Sequence, residues 1–157
     1  MLITVVTGTP GTGKTSFAKK MAITKTLKYV DVNKLISRYS LSDGYDEKRK
    51  CKIIDVKRLS LVIIELIKRF KLTKKSKYKG LIIDSHLSHY LPAHYVNVCY
   101  VTKCALPQLK ERLEARGYNE EKVRENLDCE IFDICRVEAL ENGHNVKVIY
   151  TDKKIKR

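Results

Sequence analysis

The sequence predicts an α/β fold in which a five-stranded parallel sheet is covered by helices on both faces. Short apolar or β-branched runs alternate along the chain with segments in which apolar residues recur at the helical period. The first of these runs, LITVVT at residues 2–7, leads through a glycine-rich turn into a helix. That order is typical of a buried parallel strand at the start of a β-α-β unit.

The amino-terminal half predicts three helices and a second strand. A helix is expected from Thr15, followed by a short strand near residues 28–30 and a small amphipathic helix over residues 32–39. Residues 40–54 are polar and rich in turn formers, which predicts an inserted, mobile flap. Asp55 is placed to cap a longer helix, because apolar residues repeat at the helical period from there through residue 70.

The carboxyl-terminal half supplies the remaining strands and helices. Three strands are expected, at residues 80–84 (GLIID), 96–101 (VNVCYV) and 146–150 (VKVIY). Pro107 at a first helical position begins one helix, and RGYN interrupts it before Asn119 caps a last helix that Gly143 closes. One side of that last helix is expected to be apolar, formed by Val123, Leu127, Ile131, Ile134 and Cys135.

Length and composition favour one globular domain over residues 1–157. A hydrophobic content of 43% is enough for a substantial core, and no apolar run approaches the length needed to span a bilayer. The five cysteines are odd in number and form no Cys-x-x-Cys pair, which argues against a disulfide framework or a zinc knuckle. We therefore expect a cytoplasmic protein with no membrane partner and with free thiols.

The charge balance is strongly basic. Lysine and arginine number 32 against 18 acidic residues, which gives a formal net charge of +14. Residues 68–79 (KRFKLTKKSKYK) contain seven basic residues and no acidic one, and residues 152–157 add four more against one acid. Such a surface attracts polyanions, so nucleic acid is a candidate partner. The alternative is an ordinary solvated surface, since no aromatic-rich RNA-recognition motif accompanies the run.

Residues 8–15 (GTPGTGKT) match the phosphate-loop pattern G-x-x-x-x-G-K-[ST] at every fixed position, after a strand and before a helix. Glycines let backbone N–H groups turn towards phosphate oxygens, and the following helix adds its positive end. The pattern predicts that Lys14 bridges the β- and γ-phosphates and that the Thr15 hydroxyl ligates Mg²⁺. A chance glycine turn is the alternative. The motif thus predicts binding of ATP or another nucleoside triphosphate.

Asp84 ends the apolar strand GLIID, and parallel sheets bring the carboxyl ends of their strands to the ligand crevice. We expect Asp84 to orient Mg²⁺ or its waters, the alternative being an acid that only caps the turn. His86, two residues on, is a candidate for positioning water or phosphate, or else for a local hydrogen bond. His86, His89 and His94 together also raise the weaker alternative of a transition-metal site.

Two arginines are candidates for binding the transferring phosphoryl group. Arg116 lies at a break between helices, where a mobile arginine would stabilise the developing negative charge. Arg112 lies one turn earlier and is either a helper or an ordinary surface residue. The helix of residues 32–39 and its polar flap are the natural cover for an acceptor, because transfer competes with hydrolysis unless water is excluded.

Three stretches together resemble one family: GTPGTGKTS, IIDSH and LKERLEARGYNEEKVRENLDCEIFDICRVEA. They are similar to the adenylate kinase isoenzyme six family, atypical adenylate kinases of archaea and eukaryotes that are also assembly ATPases of the small ribosomal subunit. DGYDEKRKCKIID matches the acceptor-binding region of the same family, so the resemblance covers nearly the whole chain.

The resemblance implies a P-loop NTPase fold of the adenylate kinase type, with an acceptor nucleoside monophosphate region at residues 31–54 and a short lid at 115–125. Asp84 and His86 match the family's Asp-x-His element, which serves Mg²⁺ placement and water control. The second acid that usually follows is missing here, since the run is DSHLSHYLP. The residues that would contact ATP are Gly11, Gly13, Lys14, Thr15, Ser16, Arg116 from the lid and, by a loose match near the adenine, Lys154.

Three functions follow as hypotheses. The first is an adenylate kinase that converts ATP and AMP to two ADP with Mg²⁺, using Lys14, Asp84, His86 and Arg116 as catalytic residues. The second is an ATP-switched assembly factor that binds a small-subunit ribosomal protein and pre-ribosomal RNA, with incidental kinase activity. The third, a small-metabolite kinase, is disfavoured by the match of residues 45–51 (YDEKRKC) to the acceptor region.

Overall fold

A computed structural model describes residues 1–152 of the chain. The predicted five-stranded parallel sheet is confirmed, and helices cover both of its faces. Its strands are β1 (Leu2–Thr7), β2 (Leu27–Asp31), β5 (Gly80–Asp84), β6 (Val98–Lys103) and β7 (Val146–Tyr150). The helices are α1 (Lys14–Thr24), α2 (Val32–Arg38), α3 (Val56–Leu72), α4 (Leu106–Ala115), α5 (Glu120–Ile131) and α6 (Ile134–Glu141).

The strands lie in the order β2-β5-β1-β6-β7, so β1 occupies the centre and β2 one edge. Parallel pairing sets Val6 opposite Asp84 on β5 and Val5 opposite Cys99 on β6. The connection after β1 leads to β2 on one side of the sheet, whereas the connection after β5 leads to β6 on the other side, and this reversal creates the crevice at the carboxyl ends of the strands where α/β proteins bind ligands. The glycine-rich loop and Asp84 both lie at this end.

Both faces of the sheet are covered at its centre, which explains why the neighbouring strands β1 and β5 are buried almost throughout and consist mainly of apolar residues. On one face, α3 packs Leu59, Ile63 and Ile67 against residues of β1 and β5. On the other, Ala18 and Ala22 of α1 pack in a second cluster that includes β1 and β2 residues. Small side chains on α1 allow the helix that follows the glycine-rich loop to approach the sheet closely. No helix among residues 1–152 is long and apolar enough to cross a membrane.

The flap predicted at residues 40–54 has more regular structure than its composition suggests. It contains an antiparallel hairpin of two strands, β3 (Ser42–Asp46) and β4 (Cys51–Ile54). The pairing shifts register between Ser42 and Gly44. Polar side chains dominate because almost the whole hairpin is exposed, so the apolar alternation that normally indicates a strand is absent.

The prediction of one continuous helix after Asn119 is wrong. Asp133 adopts a left-handed backbone conformation, with φ of 56°, and divides the segment into α5 and α6. Lys103 and Arg136 both bind the Asp133 carboxylate and hold the residue at this break. Ile131 at the end of α5 and Ile134 at the start of α6 lie on either side of this break, and they are 56% and 37% exposed instead of lying on one buried side.

The strand predicted from residue 96 begins later, at Val98, because the preceding residue uses its side chain for pairing. The Asn97 Oδ1 atom accepts a hydrogen bond of 2.7 Å from the Ile3 backbone N–H. A side-chain oxygen thus takes the place of a backbone carbonyl at the start of the β1–β6 ladder.

Replacement of Ile67 by alanine tests which face of α3 forms the core. Ile67 is fully buried, and its truncation should lower the free energy of unfolding by about 2 to 5 kcal/mol through lost burial and a cavity. Leu72→Ala in the same helix is the matched control, because Leu72 is 80% exposed and its change should stay within about 0.5 kcal/mol. Urea denaturation measures the free energy of unfolding of both variants, and an equal decrease in the two would contradict this packing.

Candidate nucleotide site

The phosphate loop connects β1 to α1 through glycines in conformations that other residues rarely adopt. Gly8, Gly11 and Gly13 have φ values of 143°, 92° and 88°. A Cβ atom at Gly8 would lie 2.5 Å from the Thr102 Oγ1 atom, so the close approach to β6 also requires glycine. Consecutive turns of this kind point backbone N–H groups into a concavity, which is the arrangement that binds phosphate oxygens.

Threonine hydroxyl groups hold the loop to the sheet. The Thr12 Oγ1 atom donates to the Thr9 carbonyl at 2.6 Å and lies 2.8 Å from the hydroxyl oxygen of Thr102 on β6. Thr151, just beyond β7, donates to the Thr12 carbonyl at 2.6 Å. Since Thr9, Thr12 and Thr102 are buried, these bonds fix the loop conformation before any nucleotide binds.

Lys14 begins α1 and reaches back over the loop, where its ammonium group donates to the Thr9 carbonyl at 3.2 Å. Part of its side chain is accessible, but burial of the ammonium lowers the pKa of Lys14 to about 8. The positive charge of Arg116 acts in the same direction, whereas Cys135 and Asp84 act against it. A phosphate group next to Lys14 would favour the charged form of the lysine, so the site suits the binding of an anion.

Thr15 and Asp84 meet across the crevice, as the sequence predicted for a metal-binding pair. The Thr15 Oγ1 atom donates a hydrogen bond of 2.7 Å to Asp84 Oδ2. Asp84 is only 7% exposed, and no described basic side chain forms an ion pair with it. A hydroxyl and a carboxylate oxygen side by side fit Mg²⁺, which binds through one or two protein oxygens together with phosphates and waters.

Tyr29 is a site residue that the sequence analysis missed. Its hydroxyl group donates to Asp84 Oδ2 at 2.8 Å, so two hydroxyl groups orient the same carboxylate oxygen. Burial and then the hydrogen bond to Asp84 raise the pKa of Tyr29, which keeps the phenol protonated as a donor. Only the pairing of β2 with β5 brings Tyr29 near Asp84, and no local motif indicates that pairing.

The histidines of residues 86–94 have different surroundings. The His86 ring forms no hydrogen bond with residues 1–152. Desolvation, then the charges of Lys14 and His89, lower the pKa of His86, so its ring is neutral near pH 7. A neutral imidazole close to Lys14 is available to hydrogen-bond water or phosphate, which keeps the predicted role of His86 as a hypothesis.

His89 is a structural residue, so the alternative of a histidine metal site is wrong for the described part of the chain. Its Nδ1 atom lies 2.7 Å from the Thr7 hydroxyl and its Nε2 atom 2.9 Å from a carboxylate oxygen of Glu138 on α6. Both ring nitrogens are therefore used, and the ring is buried. His94 stacks on Tyr95 instead, and residues 1–152 contain no cluster of three metal-binding side chains.

The two candidate arginines differ in what they contact. Arg112 on α4 donates from Nη1 to the Gly11 carbonyl at 3.1 Å, which ties the helix directly to the phosphate loop. Arg116 follows the last residue of α4 and is exposed, and its side chain forms no hydrogen bond or ion pair with the described residues. Its charge contributes to the lowered pKa of Lys14, so the guanidinium lies within electrostatic range of that ammonium with its donors unused.

The structure describes three of the other four predicted ATP contacts. Gly11 and Gly13 belong to the loop itself, and Ser16 is exposed in the first turn of α1, where backbone N–H groups point outward. Lys154 lies outside the described residues.

The predicted acceptor region and lid contact each other at the mouth of the crevice. Arg49 at the hairpin tip forms an exposed ion pair with Glu125 of α5. Lys122 of α5 donates to the Lys50 carbonyl at 3.1 Å. The lid segment itself is short, because only the turn at residues 116–119 separates α4 from α5. Surface pairs of this kind are weak, so they permit opening of the crevice.

Comparison with known proteins identifies relatives over most of the chain. The family described as "AAA domain" matches residues 4–133. A protein of Methanosarcina acetivorans named "Putative adenylate kinase" is 39% identical over 136 residues, which cover 87% of this chain and 70% of that protein. The "Adenylate kinase isoenzyme 6 homolog" of Caenorhabditis elegans is 31% identical over 138 residues, which cover 88% and 72% of the two chains.

A solved structure supports the fold independently. The crystal structure of a kinase from Chloroflexus aurantiacus, described as putative, aligns with a TM-score of 0.55 at 17% identity and covers 96% of this chain and 88% of the other. At that identity the likeness concerns the fold alone.

The lowered pKa of Lys14 predicts that nucleotide binding weakens as the pH rises. Only the charged ammonium attracts the triphosphate, and in the free protein it loses its proton around pH 8. The affinity for ATP should therefore fall about tenfold between about pH 7 and about pH 9. Calorimetric titration measures this affinity, and the Lys14→Met variant should bind ATP weakly at both pH values. A wild-type affinity that does not change over this range would contradict the assignment.

Proposed function

Because the chain belongs to the family of the archaeal adenylate kinases and the adenylate kinase isoenzyme 6 homologs, we propose that it transfers the γ-phosphoryl group of ATP to AMP and forms two ADP. One observation carries the proposal: the phosphate loop brings Lys14, Thr15 and Asp84 together at the carboxyl end of the sheet. These three groups supply what a phosphoryl donor site needs, a cation, a hydroxyl and a carboxylate.

Residues of the phosphate loop bind the donor in this proposal. Backbone N–H groups between Gly11 and Ser16 hold the phosphates, and Lys14 neutralises the β- and γ-phosphate oxygens. Thr15 and Asp84 would hold Mg²⁺, with Tyr29 orienting the Asp84 carboxylate. When bound, the metal ion supplies neutralisation of phosphate charge.

Transfer needs no protein nucleophile. An oxygen of the AMP phosphate forms the new bond to the γ-phosphorus, and the bond from that phosphorus to the bridging oxygen of ADP breaks. Arg116 stabilises the charge that is spread over the transferring group, for which its free donors and its position near Lys14 make it suitable. AMP enters beside residues 31–54, and the lid at 115–125 closes over the donor.

We also propose hydrolysis of ATP as a second reaction of the same site. The His86 ring is neutral and forms no hydrogen bond within the described chain, so it is suited to position a water molecule. The lid is short, and incomplete exclusion of water lets water act as acceptor. The net charge of +14 supports a role beside RNA, and the family resemblance suggests maturation of the small ribosomal subunit, with a ribosomal protein and pre-ribosomal RNA as partners.

Separate measurement of ADP and free phosphate distinguishes these reactions. With Mg²⁺ and ATP, the kinase reaction should consume AMP and yield two ADP per ATP, whereas hydrolysis should release phosphate without AMP. Lys14→Ala should lower both rates by about 100-fold or more, because both need the donor site. The same assay tests two kinds of alternative acceptor, which are small alcohols and nucleoside monophosphates other than AMP. Preferred transfer to a small alcohol would favour the small-metabolite kinase instead, and preferred transfer to another nucleoside monophosphate would change only the acceptor.

Arg116 and a remote arginine provide a matched pair for the transfer step. Arg116→Ala should lower the kcat of ADP formation by about 100-fold or more while changing the KM for ATP less, because the guanidinium acts mainly on the transition state. Arg69→Ala is the control, since Arg69 pairs with Glu65 on the surface of α3. An unchanged kcat in Arg116→Ala would exclude this arginine from the reaction.

A further inference from the structure

A cluster of lysines that the nucleotide site does not use lies at the amino-terminal end of the sheet. We call it the basic edge and define it as Lys28, Lys71, Lys74, Lys75, Lys77 and Lys79. All six are exposed, and within residues 1–152 none of them forms an ion pair. An unpaired cluster of one sign attracts a polyanion and repels other cations.

The sheet topology gathers the basic edge at one place. The Lys79 N–H donates to the Thr26 carbonyl at 2.8 Å, which joins the segment before β5 to the turn before β2. The helix α3 ends at Leu72 on the same side. The phosphate loop lies at the opposite end of the strands, and five strand residues span roughly 17 Å. The basic edge is therefore a separate surface.

Helix electrostatics explains only part of the cluster. Lys71 lies in the last turn of α3, where a cation interacts favourably with the helix dipole. Lys74, Lys75, Lys77 and Lys79 lie beyond the helix, in a segment without helical hydrogen bonding. Their charges are not needed for the fold, and their mutual repulsion opposes it.

Two open cavities containing aromatic rings adjoin the basic edge on either side of strand β2. The first, of about 560 Å³, lies beside α1 and is lined by Ile23, Leu27 and Tyr78, with Lys19 and Lys77 at its rim. The ammonium group of Lys77 lies 5.2 Å from the centre of the Tyr78 ring. Ile23 is 82% exposed, so this cavity has an apolar wall open to solvent.

The second cavity, of about 500 Å³, lies between α2 and α3 and contains Tyr39, Leu61 and Phe70. Lys28 and Arg38 line it as well. Lys28 adjoins Leu27 in the edge strand, so a cation stands between the two cavities. Flat apolar recesses alternating with cations fit a chain in which flat bases alternate with phosphates.

From this arrangement we propose that the basic edge and its two cavities bind single-stranded RNA. The lysines contact the phosphates, and bases enter the cavities and stack on Tyr78 and on Tyr39 or Phe70. A duplex keeps its bases stacked inside, and the flat surface of a bilayer does not enter recesses of this size, so both fit less well. The choice of RNA over DNA rests on the proposed function, whereas the site itself is independent of phosphoryl transfer.

Binding of a fluorescent oligouridine of about 12 nucleotides, followed by anisotropy at several salt concentrations, tests the proposal. In the double variant Lys74→Glu/Lys77→Glu, the affinity at about 100 mM salt should fall about tenfold, and the slope of log K against log salt should decrease by about 1.4. The double variant Lys110→Glu/Lys147→Glu is the control, because it changes the net charge equally on other surfaces. Its affinity should change less than about threefold.

Substitutions of Tyr78 test the contact with bases. Tyr78→Ala should weaken binding by about fivefold or more without changing the salt slope, and Tyr78→Phe should preserve it, because stacking needs only the ring. Circular dichroism melting checks that each variant is folded, and ADP formation should match the wild type in all of them. A variant that keeps normal kinase activity but does not bind RNA supports this site. If the wild type binds RNA but has no kinase activity, only the proposed reaction is overturned.

Four results would overturn the proposal: no binding of RNA by the wild type, equal losses in the two charge-reversal variants, tighter binding of duplex RNA or single-stranded DNA than of the oligouridine, and unchanged binding in Tyr78→Ala. Two further probes are tested separately in the same assay: vesicles that contain anionic lipid, and a polyglutamate peptide. Stronger binding of either one at the same salt concentration, lost in Lys74→Glu/Lys77→Glu, would assign the basic edge to a membrane or an acidic protein instead.

Discussion

The parallel pairing of β1 with β5 is the constraint on which the rest of the structure depends. Its register sets Val6 opposite Asp84, so the strand that feeds the phosphate loop and the strand that ends in the carboxylate finish side by side. Thr15, one residue into α1, then reaches Asp84 at 2.7 Å. A shift of one residue would turn the Asp84 side chain to the other face of the sheet and separate the pair.

Lys14 shows how this geometry favours function at the expense of stability. Burial opposes its charge, and its lowered pKa means that folding without nucleotide is made less favourable by this residue. The surrounding structure tolerates that cost because buried hydroxyl bonds from Thr12 and Thr151 hold the loop in place. A bound triphosphate relieves the penalty, so nucleotide binding and stability of the loop are coupled.

The two ends of the sheet present opposite surroundings to anions. At the carboxyl end, a single buried lysine and oriented backbone groups form a compact site for a small triphosphate. At the amino end, many exposed lysines lie around open apolar cavities, which suits an extended polymer. Parallel strands make this division possible, because loops from all strands at one end share a single crevice and those at the other end share a separate surface.

The sequence by itself determined the fold class, the phosphate loop and the position of Asp84 at the end of an apolar strand. Each depends on short-range patterns, either the spacing of glycines, lysine and threonine or the alternation of apolar segments. The sequence also identified the adenylate kinase isoenzyme six family, since its motifs extend along nearly the whole chain. Polarity concealed the hairpin at Ser42–Asp46 and Cys51–Ile54, because exposed strands lack apolar alternation.

Only the tertiary structure decided how distant residues meet. Tyr29 donates to Asp84, and His89 binds Thr7 and Glu138 instead of a metal. Lys103 at the end of β6 binds Asp133 at the break between α5 and α6. Sequence patterns report the environment of near neighbours along one helix or strand. The order and register of strands depend on contacts between residues far apart in the chain, and those contacts do not leave a local pattern.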